Sequence, residues 1–375
     1  MFFDSTPLSQ TNFNRYENYF DRNIKRNNYD NIPLSIYAEP YMDGDESFVG
    51  DVIDITSAKK ETFDPAKQSD GEIGDFSQGN RGDCYFLSAL KALSLTDNGK
   101  KTIKNSIKDN GDGSYTVVLP GALKVKEKME KNGVDCPITG EYKISAELLN
   151  QAMNTDLYAS GDIDVVILEL AMEEYLAQVD VITKDLDMET ADIFVSGVRN
   201  VDGDDTLSGG LCNDAMFVLT GKKSDIYTVF MDEEVIAEEE GGLSRLVSAD
   251  DDIDVYAGES IRKNKSIIST NYNHRAENAE ELRQFLEECT GESRYAMTAS
   301  FKVDDDGNIL DRNSDGEGHA LSVKRVTKDS VELINPWDTS KTVVISKEDF
   351  VKKVRTFTRT DMENQFSGKS DKLAA

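Results

Sequence analysis

QGNRGDCYFLSAL, residues 78–90, is the stretch that decides the fold and the chemistry expected of this chain. Its apolar run continues to Leu95, and from Cys84 onward the apolar side chains would cover nearly the whole circumference of a helix. That pattern predicts a buried helix over residues 84–95. Asp83, directly before the helix, has a side chain suited to capping its N-terminus.

The position of Cys84 favours a role as a nucleophile. The N-terminus of a helix carries partial positive charge, which favours a thiolate over a thiol. Glycines at positions 79 and 82 let the backbone bend tightly, so that the sulfur can face a cleft rather than the core. Upstream, Gln78 can offer an amide N–H to the same point as the backbone N–H of Cys84, which is the geometry of an oxyanion hole. The segment therefore indicates acyl-transfer chemistry.

A cysteine nucleophile needs a base, and the chain has two histidines, His274 and His319. His319 begins a strand pattern that turns back near residues 328–329, so cross-strand partners should have numbers summing to about 656 or 657. His319 then lies opposite Trp337 or the residue after it, with Asn335 close by. An Asn beside the imidazole can accept from one ring nitrogen and leave the other to face the thiol. Trp337, the only tryptophan in the chain, would cover that hydrogen bond, whereas His274 lies in a polar stretch without such neighbours.

Charge and composition exclude several classes of protein. The chain has 375 residues, with 42 Lys and Arg against 71 Asp and Glu, a formal net charge of −29. Nucleic acid and anionic membranes both need a positive surface, so neither is an expected partner. Four cysteines do not make a disulfide scaffold, and two histidines cannot form a three-His metal site. Without a signal peptide or a transmembrane segment, the expected location is the cytoplasm.

The remaining pattern predicts an α+β chain, with a mainly helical first half and a second half rich in antiparallel strands. Helices are expected over residues 167–179 and 278–289, the latter capped by Asn278, and another begins at Ser346. Strands are expected over residues 114–119, 319–326, 331–335 and 342–345.

Three segments together resemble the signatures of the calpain family of papain-like cysteine proteases: QGNRGDC at 78–84, Gly318-His319-Ala320 and Asn335-Pro336-Trp337. The family pattern is QGxxGDCW, and Tyr85 departs from it in the place of Trp. Residues 168–171 are similar to the family's LLEKA helix, and segments near 219–221 and 346–350 agree as well. The resemblance covers about residues 71–358, in family order, without a match for the C2-like or EF-hand domains of calpains.

The resemblance implies a papain-like fold of two subdomains with the active-site cleft between them. The first subdomain, mainly helical, would be residues 71–209, and the second, rich in β-sheet, residues 210–358. Residues 1–70 would be an N-terminal extension, either a segment that packs on the surface and regulates the enzyme or a pro-segment removed by self-cleavage, and residues 359–375 a C-terminal tail.

The family's roles pass to this chain residue by residue. Cys84 would be the nucleophile, His319 the base and acid, Asn335 the group that orients the imidazole, and Gln78 the oxyanion donor. The cleft would be supported by Trp337, Gly82 and Gly318.

The resemblance also implies calcium, with Asp75 and Glu169 at the positions of its carboxylate ligands. At the family's second calcium site Lys341 stands in the acidic place, so one site is expected. Two other acidic motifs fail as calcium loops. Setting Gly307 at position 6 of an EF-hand puts Lys302 where Asp is needed, and residues 202–210 hold only one copy of a nonapeptide that must repeat.

The leading hypothesis is a calcium-stimulated, calpain-like cysteine endopeptidase acting on proteins and peptides. An alternative from another class is a non-catalytic binding or regulatory module that keeps the protease fold. A third is acyl transfer of the transglutaminase type, which shares the Cys–His pair. That type would normally use Asp as the orienting group, where this chain has Asn335.

Overall fold

The fold is taken from a computed structural model of the chain. It describes residues 68–363, apart from gaps at 132, 134–135, 186–206, 208, 229–271, 277, 305 and 315. The described residues all fall within one compact unit, 55–375. The predicted N-terminal extension lies outside the described residues as far as residue 67, and so does the tail from residue 364.

The first half of the described chain is mainly helical, with one small antiparallel sheet of order β1-β2-β3. Its elements are α1 Cys84–Ser94, α2 Asp97–Ser106, β1 Ile107–Asp109, β2 Tyr115–Val118, α3 Pro120–Lys131, β3 Glu141–Ile144, α4 Ala146–Met153, α5 Ile163–Asp185 and α6 Cys212–Thr220. The predicted buried helix is confirmed as α1, whose residues after Cys84 are all buried. The predicted strand at 114–119 is confirmed as β2.

The second half is built on a seven-stranded sheet of order β5-β4-β10-β6-β7-β8-β9. Its elements are β4 Ser224–Thr228, β5 Tyr272–Ala276, α7 Ala279–Glu288, β6 Tyr295–Val303, β7 Glu317–Val326, β8 Ser330–Asn335, β9 Asp338–Ser346, α8 Lys347–Lys353 and β10 Thr356–Asp361. The pairs are antiparallel except β4 with β5, which is parallel. The predicted α+β class is therefore confirmed.

Two predicted helix caps are also confirmed. The side chain of Asn278 accepts from the backbone N–H groups of Glu280 and Glu281 at the start of α7. The hydroxyl of Ser346 accepts from the N–H of Asp349 at the start of α8. Both caps are short-range contacts, so the chain could specify them without help from distant residues.

Two predicted elements prove longer than expected. Helix α5 begins at Ile163, because the carboxylate of Asp162 accepts from the backbone N–H of Asp164 and starts the helix early. Strand β9 begins at Asp338 because that residue pairs with Asn335 directly across the turn. The signal at Asp162 was present in the sequence and was missed.

The buried apolar residues form two hydrophobic clusters. The first is built mainly by helices α1, α3, α5 and α6, and the second by the seven-stranded sheet with α7 and α8. The predicted boundary places α6 in the second subdomain, but its buried residues, Met216 and Leu219 among them, belong to the first cluster. Tyr227 is the earliest residue of the second cluster, and three residues of the second half, Ala296, Ala320 and Met362, pack in the first.

The register of the β7–β8 hairpin agrees with the predicted arithmetic. Val326 pairs with Val331, which sums to 657, and Ser322 pairs with Ile334, which sums to 656. A bulge at Lys324 shifts the ladder by one residue between these pairs. The hairpin thus carries His319 towards Asn335 and the turn that follows it.

Helix α1 is tied directly to β7. The hydroxyl of Ser88 donates to the carbonyl of Ala320 at 2.8 Å, and the hydroxyl of Ser322 donates to the carbonyl of Ser88 at 2.8 Å. All of these atoms are buried, so each bond is protected from competition by water. One turn of helix separates Ser88 from Cys84, and His319 precedes Ala320, so these bonds bring the two predicted catalytic residues to one place.

Within the described part of the chain, none of the helices is both long enough and apolar enough to cross a membrane.

Candidate active site

The imidazole of His319 and the amide of Asn335 form the centre of the site. His319 Nε2 lies 2.8 Å from Asn335 Oδ1. The backbone N–H of Trp337 donates to the same oxygen at 2.9 Å. Because an amide oxygen only accepts, Nε2 carries the proton of the neutral ring and Nδ1 is left as the base. Burial lowers the pKa of His319, while the bond to Asn335 opposes that shift.

Trp337 covers this hydrogen bond. The centroids of its ring and of the His319 ring are 4.4 Å apart, with the planes tilted by 37°. The backbone of Gly307 lies against the indole, since a Cβ there would come within 2.8 Å of it. Asp304 holds that loop in place, because its carboxylate accepts from both the backbone and the side chain of Asn308. The acidic motif that failed as an EF-hand therefore supports the tryptophan.

Cys84 is the first residue of α1, and its sulfur faces the backbone next to His319. Burial raises the pKa of the Cys84 thiol to about 12, and the backbone N–H groups of Ala320 and Tyr85 oppose that shift only in part. Since burial also lowers the pKa of His319, the resting pair at neutral pH is a thiol and a neutral imidazole. The helix N-terminus alone does not produce the thiolate that the sequence led us to expect.

We expect iodoacetamide to alkylate Cys84 at a rate that rises about tenfold per pH unit from about pH 6 to about pH 9, because only the thiolate reacts. The rates are best measured by mass spectrometry in a Cys136→Ser variant. Cys136 is the other partly exposed thiol, whereas Cys212 and Cys289 are buried. A rate already at its plateau near neutral pH would indicate a preformed thiolate–imidazolium pair and contradict the resting thiol.

Gln78 lies between the nucleophile loop and the turn that follows Asn335. Its backbone N–H donates to the carbonyl of Pro336 at 2.8 Å. Its side-chain Nε2 donates to the carbonyl of Arg81 at 2.6 Å. A primary amide has two N–H donors, so one remains for an oxyanion near Cys84.

The loop that carries Gln78 is fixed by close backbone packing. Ser77 and Ser160 exchange backbone hydrogen bonds of 2.9 and 2.8 Å. A Cβ at Gly79 would lie 2.3 Å from the carbonyl oxygen of Leu157. Only glycine allows this approach, so the glycine of the motif sets the path of the loop.

A buried ion pair that the sequence analysis missed supports the same loop. Arg81 Nη1 lies 3.3 Å from Glu173 Oε2, and both side chains are almost fully buried. The hydroxyl of Tyr158 donates to Glu173 at 2.7 Å, and the guanidinium lies 4.6 Å from the centre of the Tyr158 ring. The available signal was Glu173 itself, one helical turn after Glu169 on a face that is otherwise apolar.

Asp83 and Glu169 form a second buried contact, beside the nucleophile. Both are fully buried. Burial, and then the neighbouring carboxylate of Asp83, raise the pKa of Glu169 well above its usual range. Burial beside a second carboxyl group thus disfavours the ionised form of Glu169, whose oxygens accept from the N–H of Ala159. The prediction that Asp83 caps α1 is wrong, because its side chain turns to Glu169 and makes no capping bond.

The two residues implied as calcium ligands have other partners. Asp75 Oδ1 lies 3.0 Å from the ammonium of Lys91, and burial beside Asp83 raises the pKa of Glu169 and so disfavours its ionised form. Calcium prefers ionised, unpaired carboxylate oxygens, so this pair does not fit a calcium site. Among the residues that the structure describes, no group of three or more His, Cys, Asp or Glu side chains is arranged to hold a metal ion.

The two glycines predicted to support the cleft, Gly82 and Gly318, lie where segments of the site meet. The carbonyl of Gly82 accepts from the N–H of Gly209 at 2.9 Å, which links the nucleophile loop to the segment before α6. Gly210, in that segment, packs its backbone on the ring of Tyr85, where a Cβ would come within 2.5 Å. Gly318 continues the β6–β7 ladder opposite Lys302.

His274, in contrast, lies outside this constellation. It is on β5, the edge strand that β4, β10 and β6 separate from β7. Its ring packs edge-on against Phe285, with centroids 5.5 Å apart. Only one of the two histidines is therefore brought to Cys84.

No model of a known protein family matches this chain. A search of curated proteins finds no match either. The likeness to calpains accordingly depends on the sequence motifs alone, and the activity that it implies is a proposal.

Proposed function

We propose that the protein is a calpain-like cysteine endopeptidase that hydrolyses peptide bonds through a thioester on Cys84. The observation that supports this most is the pairing of His319 with Asn335 under Trp337, beside a cysteine that starts a buried helix. The orienting partner is an amide oxygen, as in papain-like proteases, rather than the carboxylate of a transglutaminase.

The proposal includes a papain-like division into two subdomains, with the substrate cleft where α1 meets β7. The two hydrophobic clusters support such a division. The expected substrates are proteins or peptides, and residues 1–70 are an expected site of self-cleavage. The reciprocal bonds of Ser88 would keep the two sides of the cleft in register.

The chemistry follows from the protonation states at rest. Nδ1 of His319 takes the proton of Cys84 as the sulfur bonds to the peptide carbonyl carbon, and the oxyanion accepts from Gln78 and the N–H of Cys84. His319 then gives its proton to the amine as the C–N bond breaks. Water, deprotonated by His319, cleaves the thioester and restores the thiol. Because Cys84 rests as a thiol, proton transfer to Nδ1 accompanies the attack on the substrate and does not precede it.

Digestion of casein, with calcium or with a chelator present, tests this proposal. The wild type should cleave casein and form a one-to-one adduct with a thiol-reactive peptide inhibitor. Cys84→Ala should lose both activities, and Cys136→Ser should keep both. Labelling that persists in Cys84→Ala would contradict the assignment of the nucleophile.

Replacing Gln78 with alanine should lower kcat by about 10² to 10³, because one donor to the developing oxyanion is lost. KM should change little, since the donor acts mainly in the transition state. Asn80→Ala is the matched control, because that side chain belongs to the same loop and is exposed. Equal losses in the two variants would point to disruption of the loop instead of loss of a donor.

Two observations favour a non-catalytic binding module as the second candidate. Burial holds Cys84 as a thiol, and Tyr85 stands where the calpain motif has Trp. A binding module would retain a peptide ligand without cleaving it. Absence of casein cleavage by folded wild-type protein under both calcium conditions, together with intact peptide recovered from the complex, would favour this candidate.

A further inference from the structure

Lys91 is a buried lysine in an apolar helix. It is the one charged residue of α1, and its side chain is 9% exposed. A lysine is seldom buried unless its ammonium is paired. The Nζ atom donates to the carbonyl of Gly74 at 2.8 Å and to Asp75 Oδ1 at 3.0 Å. It also lies 5.9 Å from the centre of the Phe76 ring. Lys91 therefore holds three consecutive residues of the segment that leads to Gln78.

That segment is one side of a seam between the two halves of the described chain. We define the seam as residues 74–78 together with residues 336–341. Across it, Phe76 donates to the hydroxyl of Thr339 at 2.7 Å, and Thr339 donates back to the carbonyl of Phe76 at 3.1 Å. The bond from Gln78 N–H to the Pro336 carbonyl closes the seam beside the candidate active site.

A second lysine lies on the other side of the seam. Lys341 Nζ is 2.9 Å from Asp338 Oδ2. The other oxygen of Asp338 accepts from the backbone N–H of Ser340 at 3.1 Å. Lys341 stands where the resemblance to calpains implies an acidic calcium ligand. The resemblance thus implies a calcium ligand on each side of the seam. On one side Lys91 pairs with that ligand, Asp75, and on the other Lys341 stands in its place.

We propose that Lys91 is a fixed internal cation that positions Gln78, so that the oxyanion donor is set without a bound metal ion. A divalent cation at Asp75 would lie beside the ammonium and be repelled by it. Lys91 touches none of the reacting atoms, and it acts through the backbone of the seam as a positioning residue. The effect on turnover rests on the proposed peptidase function, whereas the effect on the conformation of the seam does not.

The single tryptophan gives a direct readout of the seam. Trp337 follows Pro336, which accepts from Gln78, and its ring packs on His319. Calcium chloride is titrated into chelator-treated full-length protein while Trp337 emission, heat of binding and peptide hydrolysis are measured. We expect no saturable change in emission or heat, and equal kcat with calcium and with chelator. A saturable, chelator-reversible change in emission would overturn the proposal.

The matching variant is Lys91→Met, which keeps the length of the side chain and removes its charge. Trp337 emission should shift, and kcat should fall about 10²-fold, approaching the Gln78→Ala value, with KM little changed. Lys104→Met is the control, because Lys104 pairs with Glu72 of the preceding segment but is largely exposed. The control should match the wild type in both readouts. Wild-type emission and kcat in Lys91→Met would overturn the proposal.

Asp75→Asn covers the case in which Lys91→Met fails to fold. The Asp75 side chain is 66% exposed, so its replacement leaves the core untouched. We expect the same shift of emission with a loss of about fivefold in kcat, since the bond from Lys91 to Gly74 remains. Unchanged emission and kcat in this variant would overturn the proposal. If the wild type hydrolyses no peptide at all, the proposed function fails, and the emission measurements still decide the role of Lys91.

Discussion

Replacing His319 with alanine is expected to lower kcat for peptide hydrolysis by about 10⁴-fold or more, the largest effect of any single change apart from loss of the nucleophile. The ring is the only imidazole placed at Cys84 among the described residues. Its Nδ1 is free to take the thiol proton because Asn335 fixes the proton on Nε2. Since burial raises the pKa of Cys84 to about 12, very little thiolate would form without this base. Initial rates with a fluorogenic peptide measure the loss.

The chain provides its own matched control, because it has one other histidine. His274→Ala removes an exposed ring on the far edge of the sheet and should leave kcat unchanged. The kcat of Asn335→Ala should lie between those of His319→Ala and His274→Ala, since the base remains but is no longer held in one tautomer. Retained hydrolysis in His319→Ala, or an equal loss in His274→Ala, would contradict the assignment of the base.

Removing the carboxylate of Glu173 is expected to lower the free energy of unfolding by about 3–5 kcal/mol. Glu173→Ala removes a carboxylate from beside the buried guanidinium of Arg81 and an acceptor from the hydroxyl of Tyr158. Because both groups are buried, contact with water replaces the lost interactions only in part. Urea unfolding followed by circular dichroism measures the change. Because Arg81 also accepts the amide of Gln78 on its carbonyl, kcat should fall as well.

Glu174→Ala is the control for position on the same helix. Glu174 is only partly buried, and its contact with Gln178 is a long hydrogen bond of 3.4 Å. Its loss should change stability by less than about 1 kcal/mol. If Glu173→Ala were no more destabilising than Glu174→Ala, the ion pair would not be a significant support of the nucleophile loop.

Local patterns predicted the elements that carry the site. Helix α1 follows from a run of apolar residues that suits only a buried helix, and the hairpin from a short polar turn between two strand-like runs. Because a hairpin fixes the number of each residue's partner, the neighbourhood of His319 and Asn335 could be calculated from the turn alone. The bulge at Lys324 explains why the numbers of paired residues sum to 656 on one side of it and to 657 on the other.

Contacts between segments that are distant in the chain could not be predicted from local sequence patterns. Asp83 had the right type and position for a cap, yet its side chain contacts Glu169 and makes no capping bond, because Glu169 is brought beside it only by the packing of the two helices. The charge of Lys91 in an apolar helix was visible, but its partner was not. Asp75 lies close to Lys91 only in the folded chain, where residues 74–78 pass over α1.

The sequence by itself determined the α+β class, the buried cysteine helix and the pairing of His319 with Asn335, since each depends on periodicity or on a short turn. Only the tertiary structure decided the state of the residues around them. Whether a thiol ionises, a carboxyl keeps its proton or a lysine meets an aspartate depends on burial and on partners far away in the chain. These are properties of the assembled core, and no local pattern encodes them.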